Sequence, residues 1–211
     1  MGALAQGRQV SPALLADGLP EQLLGAPIDP DYRHMVRFEA GLLRAGSDAA
    51  AGPLVEQALG ALFGPVWRRG PERAVRALLW FYRGGQDTPP SGATGSAQGP
   101  LAYDFVCDGA LIAAAFAQAY GLDLTHPATR LHWWRFRALL LGLPESTVFA
   151  RVVGWRTADL TGMKGGQLKF YQAMRQKYAL PPGLGGDPHG YVSKAERDAA
   201  FLARLRARAA S

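Results

Sequence analysis

The chain has one cysteine, four histidines and no long apolar run, and each shortage removes a class of function. A lone thiol, Cys107, excludes an intramolecular disulfide framework and fits a reducing compartment. Beside Phe105 and Val106 it reads as small core filler, not as a nucleophile. The histidines, His34, His126, His132 and His189, are too few and too dispersed for a zinc site. No apolar stretch approaches the roughly 18 residues that cross a bilayer, and the longest contender, Ala110 to Ala117, is short and alanine-rich. The GxxxxGK[ST] phosphate loop, the GxGxxG dinucleotide fingerprint, the GxSxG elbow and the HExxH zinc helix are all missing. No catalytic, cofactor-binding or metal-ligating residue is therefore expected, and the chain is not expected to be an enzyme.

Negative charge is also scarce. Asp and Glu number 17 against 23 Lys and Arg, for a formal charge of +6 and a pI near 9.8. A basic balance invites a nucleic-acid partner, but the excess is scattered and forms no run of like charges. It is densest from Lys194 to Ser211, where Lys194, Arg197, Arg204, Arg206 and Arg208 face Glu196 and Asp198. Nucleic acid is not expected as the partner, nor is a membrane. The N-terminal stretch has one arginine and no sustained apolar segment, so it does not resemble a secretory signal. Its Met-Gly start carries Gln6 where a myristoylation site carries Ser or Thr.

Alternation of apolar and polar residues is rare, whereas spacings of three and four recur, so the fold class is mainly α. The expected organisation is a flexible leader over 1–20, a single-domain helical bundle over 21–181, and a linker with a separate basic C-terminal helix over 182–211. Gln22 to Asp29 suits a short extended segment ending at the turn Asp29-Pro30-Asp31. Helices are expected over Tyr32 to Arg44, Pro53 to Phe63 and Pro71 to Tyr82, the last opened by proline and stopped by Gly84-Gly85. Residues 84–100, GGQDTPPSGATGSAQGP, bury too little apolar surface to offset the entropy of ordering and form a mobile loop.

Beyond the loop, a helix capped by Asp104 or Asp108 runs to Tyr120 and stops at Gly121. Asp104 and Asp108 could be imagined as an acid pair, but capping anions paired with arginines explain them more simply. Another helix, capped by Thr125, includes Leu131-His132-Trp133-Trp134-Arg135-Phe136-Arg137 and ends at Gly142-Leu143-Pro144. On a helical wheel Leu131, Trp134, Ala138 and Leu141 share one apolar face, and Trp133, Phe136 and Leu140 share a second. Arg130 and Arg137 lie between them, within stacking reach of Trp133. Two apolar faces suit the centre of a bundle, not a base-stacking platform. Glu145 to Arg156 is expected to be a short helix. Gln167 to Ala179 is expected to turn Phe170, Tyr171, Met174 and Tyr178 inward. Ser193-Lys194-Ala195-Glu196 forms a capping box for a final helix.

Several segments carry a family resemblance. They are Leu78-Leu79-Trp80-Phe81-Tyr82 with Gly84; Tyr103-Asp104-Phe105 with Asp108; Ala114-Ala115-Phe116 leading to Tyr120-Gly121-Leu122-Asp123-Leu124; and Leu131 through Leu139. Gly142-Leu143-Pro144-Glu145, Gly154-Trp155-Arg156, Phe170-Tyr171 and Tyr178-Ala179-Leu180-Pro181 continue it. In order and spacing, over residues 78–181, the chain resembles the bacteriophage gene product fifteen family of long-tailed phages and prophages. Departures are the 84–100 loop, Cys107, where the family carries a larger or acidic residue, and the basic tail.

The resemblance implies a tail assembly protein encoded beside the tape-measure gene. Such a protein would act in the cytoplasm of the bacterial host and hold the helical tape-measure protein while the tube polymerises around it. The implied partners are the tape-measure protein and other tail proteins, with no cofactor. The family motif and core positions are Trp80, Tyr103, Asp104, Asp108, Phe116, Trp133, Trp134, Phe136 and Arg137. A client helix could dock by anchors at i, i+3, i+4 and i+7, and Trp80, Tyr82, Tyr103 and Trp155 are the candidate groove. The alternatives are a structural tail component retained in the virion and a basic nucleic-acid-binding helical protein.

Overall fold

A computed structural model describes residues 18–45, 47–86, 101–182 and 184. Most of the expected leader, of the 84–100 loop and of the C-terminal linker and helix lies outside the described residues. Among those described, the elements are seven α-helices, one 3-10 segment and one two-stranded hairpin, so the protein is mainly α. The helices are α1 (Tyr32–Arg44), α2 (Asp48–Phe63), α3 (Pro71–Tyr82), α4 (Gly109–Tyr120), α5 (Trp133–Leu141), α6 (Val148–Thr157) and α7 (Gly165–Lys177). The 3-10 segment, Gly64–Arg69, joins α2 to α3.

The extended N-terminal segment is a hairpin of β1 (Gln22–Leu23) and β2 (Ala26–Pro27), paired antiparallel with Gln22 opposite Pro27 and Leu23 opposite Ala26. Leu24 and Gly25 between the strands both have positive φ, 56° and 76°, the sign pattern of a two-residue type I′ turn. The helix boundaries follow local chemistry. The Asp31 carboxylate accepts the Arg33 N–H at 3.0 Å to open α1. α2 starts earlier than Pro53, because the Ser47 hydroxyl accepts the Ala50 N–H at 3.3 Å and supplies a cap upstream of the proline. α3 ends where Gly84 and Gly85, at φ 76° and 82°, donate to the Phe81 and Trp80 carbonyls.

Two boundaries correct the sequence reading. The helix holding the two tryptophans opens at Trp133, not near Thr125, and its cap is His132, whose Nδ1 accepts the Trp134 N–H at 3.0 Å. Thr125 instead donates its N–H and hydroxyl to Asp123, at 2.8 and 2.6 Å, and closes a local turn. Leu131 and His132 approach α5 in extended form, with the Leu131 carbonyl accepting the Tyr32 N–H at 2.9 Å. Arg130 is thus off the helix and pairs with Asp31 at 3.6 Å. The second correction concerns α6, which starts at Val148 with Thr147 as its cap: the Thr147 hydroxyl accepts the Ala150 N–H and donates to the Pro144 carbonyl.

The chain forms two compact units. One contains the hairpin, most of α2, the 3-10 segment and α3. Its buried residues include Val55, Leu59, Leu62, Leu78 and Phe81, and the Asp29 N–H donates to the Leu62 carbonyl at 3.0 Å to hold the chain after the hairpin on the end of α2. The other contains α1, α4, α5, α6 and α7. Its centre is Phe136, which is 1% exposed. That ring stacks on Tyr32 at 4.6 Å, Phe116 at 5.2 Å and Trp133 at 5.8 Å, with Phe105 at 6.0 Å. The Tyr120 hydroxyl donates to the Leu139 carbonyl at 2.8 Å, and a Cβ at Gly142 would lie 3.4 Å from that hydroxyl oxygen and 3.2 Å from the Ala138 carbonyl. The tight contact is with the Ala138 carbonyl of α5 itself, so glycine at Gly142 eases the end of that helix.

Trp133, Phe136 and Leu140 are buried as one face of α5. The other apolar face is shorter than expected: Trp134 is buried, but Ala138 is exposed and Leu141 is 78% exposed. Arg137 places its guanidinium 5.8 Å from the Trp133 ring centre, as the spacing implied. Phe136→Ala and Trp134→Ala should each cost about 3–5 kcal/mol in urea unfolding, whereas Leu141→Ala should stay within about 0.5 kcal/mol of the parent. Equal losses at Phe136 and Leu141 would contradict this core.

Candidate functional site

The sequence pair Asp104 and Asp108 forms the polar centre of the α1, α4–α7 unit. Both carboxylates are buried, Asp104 at 0% and Asp108 at 2% exposure. Arg44, at the end of α1, donates to both Asp104 oxygens at 2.7 and 2.9 Å. Arg156, on α6 and itself buried, donates to both Asp108 oxygens at 2.6 and 2.9 Å. Asp104 also accepts the Val106 and Cys107 N–H groups, and Asp108 accepts the Asp104 N–H at 3.0 Å. The capping role is thus fulfilled in the turn before α4, although Asp108 makes no side-chain cap to α4 itself. Arg156 has two further acceptors, the Ala102 carbonyl at 3.2 Å and the Tyr178 carbonyl at 2.7 Å.

Burial alone would raise the Asp104 carboxyl, but the Arg44 guanidinium and the Cys107 N–H outweigh it and hold it at about 2. Burial pushes the Tyr103 hydroxyl up to about 12, with Glu39 adding to the effect and Arg137 opposing it. Cys107 is exposed, which corrects its reading as core filler. Its position in the capped turn, with its own N–H on Asp104, turns its side chain outward. Desolvation and the Asp104 carboxylate raise its thiol above the ordinary value, the wrong direction for a nucleophile.

A second feature lies on α6 and α7. Among the residues of α7 none is fully buried, and Phe170 is 49% exposed. The expected inward stripe of this helix is therefore only partly inward: Tyr171, Met174 and Tyr178 are half-buried and Phe170 faces out. Trp155, half-buried on α6, meets Phe170 edge-on at 6.2 Å and stacks on Tyr178 at 5.4 Å. Phe170 and Tyr171 meet at 5.7 Å, and the Lys177 ammonium lies 5.2 Å from the Tyr178 ring centre. Arg175 donates to the Ala158 carbonyl at 2.5 Å and ties α7 to the end of α6. The result is an aromatic surface open on one side, anchored through the Arg156–Tyr178 hydrogen bond to the buried Asp108.

The proposed groove residues separate. Trp80 and Tyr82 are buried in the unit that holds α3, and Tyr103 packs against Phe105 at 5.3 Å and Phe149 at 5.8 Å in the other. Trp155 alone of the four sits at the open aromatic surface. Phe116, Trp133, Trp134 and Phe136 are buried. Periodicity places Phe170, Tyr171, Met174 and Tyr178 on one face but does not reveal whether another element covers it. No group of three or more His, Cys, Asp or Glu among the described residues could hold a metal ion. None of the described helices is long and apolar enough to cross a membrane.

Fold and surface together define a mainly helical protein with a buried carboxylate–guanidinium centre and an open aromatic face. A family model described as Bacteriophage Gp15 protein matches residues 54–180, more than half of the chain, and the chain belongs to that family. The match begins upstream of the segments from Leu78 onward that carry the resemblance, and so takes in much of α2. No curated protein and no solved structure matches the chain.

Removing Arg156 strands a buried carboxylate, so Arg156→Met should cost about 3–5 kcal/mol. In a double-mutant cycle Asp108→Asn should recover more than about 1 kcal/mol of that loss. Because the Asp104 carboxyl is depressed in the folded state, its contribution is complete above pH 4 and is lost as pH falls towards about 2. Acid titration of stability should therefore show a drop on the order of 2 kcal/mol in that window that is absent in Asp104→Asn.

Proposed function

We propose that this protein is a non-enzymatic tail assembly factor that holds the tape-measure protein in the host cytoplasm while the tail tube forms. Membership of a bacteriophage family supplies the setting. The observation that carries the chaperone reading is the open aromatic surface of Trp155, Phe170 and Tyr178 on α6 and α7. A long helical client exposes apolar stripes until the tube encloses it, and a partner that covers those stripes reversibly needs an apolar surface of its own. Large rings supply contact area at low entropic cost, since each has only two side-chain torsions to fix. The buried Asp–Arg centre keeps that surface in place without offering a reactive group.

Co-expression of the protein with the tape-measure protein of the same phage tests the reading. The expected result is a soluble complex retained through an affinity tag on this chain, together with its absence from purified virions by mass spectrometry. Retention in the virion at tail stoichiometry would favour a structural component, and failure to hold or solubilise the client would remove the chaperone role.

A further inference from the structure

The charge around the aromatic surface specifies its partner more closely. Between Val148 and Leu184 the sequence has six cations, Arg151, Arg156, Lys164, Lys169, Arg175 and Lys177, and one anion, Asp159. The formal charge of that segment is thus +5. Arg156 is neutralised by Asp108 at 2.6 Å, which leaves the positive balance on the exposed parts of α6 and α7. On α7, Gly166, Phe170, Ala173 and Lys177 recur at spacings of four, three and four, so they share one face, and all four are exposed. A Cβ at Gly166 would meet nothing within 4 Å, so no packing inside the chain requires glycine there. Small residues on either side of a protruding ring let another helix approach closely. On α6, Val148, Arg151 and Trp155 share a face at spacings of three and four, and the Trp155–Phe170 contact joins the two faces.

We infer that this surface receives an acidic amphipathic helix of a partner protein. Phe170 enters the partner's apolar stripe, and Glu or Asp residues flanking the stripe meet Lys169, Lys177 and Arg151. The inference deepens the client-holding reading and rests on it for the existence of a client. The charge argues against the chain's own tail as occupant, because residues from Lys194 to Ser211 are themselves basic. Single-stranded nucleic acid fits less well, because it needs free ring faces. Here Trp155 and Tyr178 stack on each other at 5.4 Å, and Lys177 sits by the Tyr178 ring. A membrane surface calls for a continuous row of large apolar residues, where α7 offers one phenylalanine between glycine and alanine.

Labelled model helices titrated into the full-length protein provide the test. One peptide carries a leucine stripe flanked by glutamates, a second carries the same stripe flanked by lysines, and single-stranded DNA and anionic phospholipid vesicles complete the set. The glutamate peptide should bind, and binding should weaken with salt. It should fall about tenfold or more in Phe170→Ala, with the protein still folded at the assay temperature, because about half of the ring is exposed and its loss removes only the contacts to Trp155 and Tyr171. The double change Lys169→Glu with Lys177→Glu should invert the preference towards the lysine peptide. No binding of the glutamate peptide, which is also the result if the tail covers the face, overturns the inference. Equal binding of the lysine peptide, or stronger binding of DNA or vesicles, does the same. If the glutamate peptide binds but the tape-measure protein is not retained, the proposed function falls and the surface stands. If the tape-measure protein is retained equally by the parent and Phe170→Ala, the surface falls and the function stands.

Discussion

Two carboxylates one helical turn apart, each gripped by an arginine from a different helix, are the constraint on which the larger unit depends. Asp104 fixes the end of α1 through Arg44, and Asp108 fixes α6 through Arg156. The Asp104 N–H bonds to Asp108, so neither pair can shift without the other. A pair buried on both sides, as Asp108–Arg156 is, adds little net stability over well-packed apolar residues, because desolvation consumes most of the Coulombic gain. What these pairs impose is position: the Arg156 guanidinium, with one bidentate pair to Asp108 and two carbonyl acceptors, tolerates one geometry. The aromatic core around Phe136 provides the bulk of the favourable burial, and the Asp–Arg centre selects how the helices meet around it.

That constraint reaches the surface through a single residue. Arg156 contacts Asp108 on one side and the Tyr178 carbonyl on the other, and Tyr178 stacks on Trp155, which meets Phe170. A chain of four contacts thus connects a buried charge to an exposed ring. The proposed client-holding role would benefit from such support, because a preformed face loses less entropy on binding than one that must first assemble. For the proposed acidic helix, the surrounding cations would have a separate effect, raising the encounter rate while the apolar contact sets how long the complex lasts.

Much of this fold was legible in the sequence. Proline at the start of α3, glycines at the ends of α3, α4 and α5, and three- and four-residue spacing set helix type and many boundaries, because caps and breakers act within a turn of the residue that carries them. The pairing of Asp104 and Asp108 with arginines was legible as chemistry, but its partners on α1 and α6 were not, since sequence separation of about fifty residues or more hides which helices meet. The His132 cap was missed because histidine is an uncommon cap and Thr125 offered a commoner one. Cys107 was misplaced because an apolar neighbourhood in sequence does not reveal that backbone capping turns the side chain outward. The open face of α7 is hidden from sequence for a related reason: its amphipathicity is real, yet its apolar side is only half covered.

We propose that the α6–α7 surface, held by the Asp108–Arg156–Tyr178 connection, is where a tail partner binds. Hydrogen–deuterium exchange on the full-length protein, alone and mixed with the tape-measure protein of the same phage, addresses this most directly. Slower exchange is expected on complex formation in peptides covering Val148 to Tyr178, with α4 and α5 unchanged. Protection that falls elsewhere and leaves α6 and α7 as they are in the free protein would contradict it.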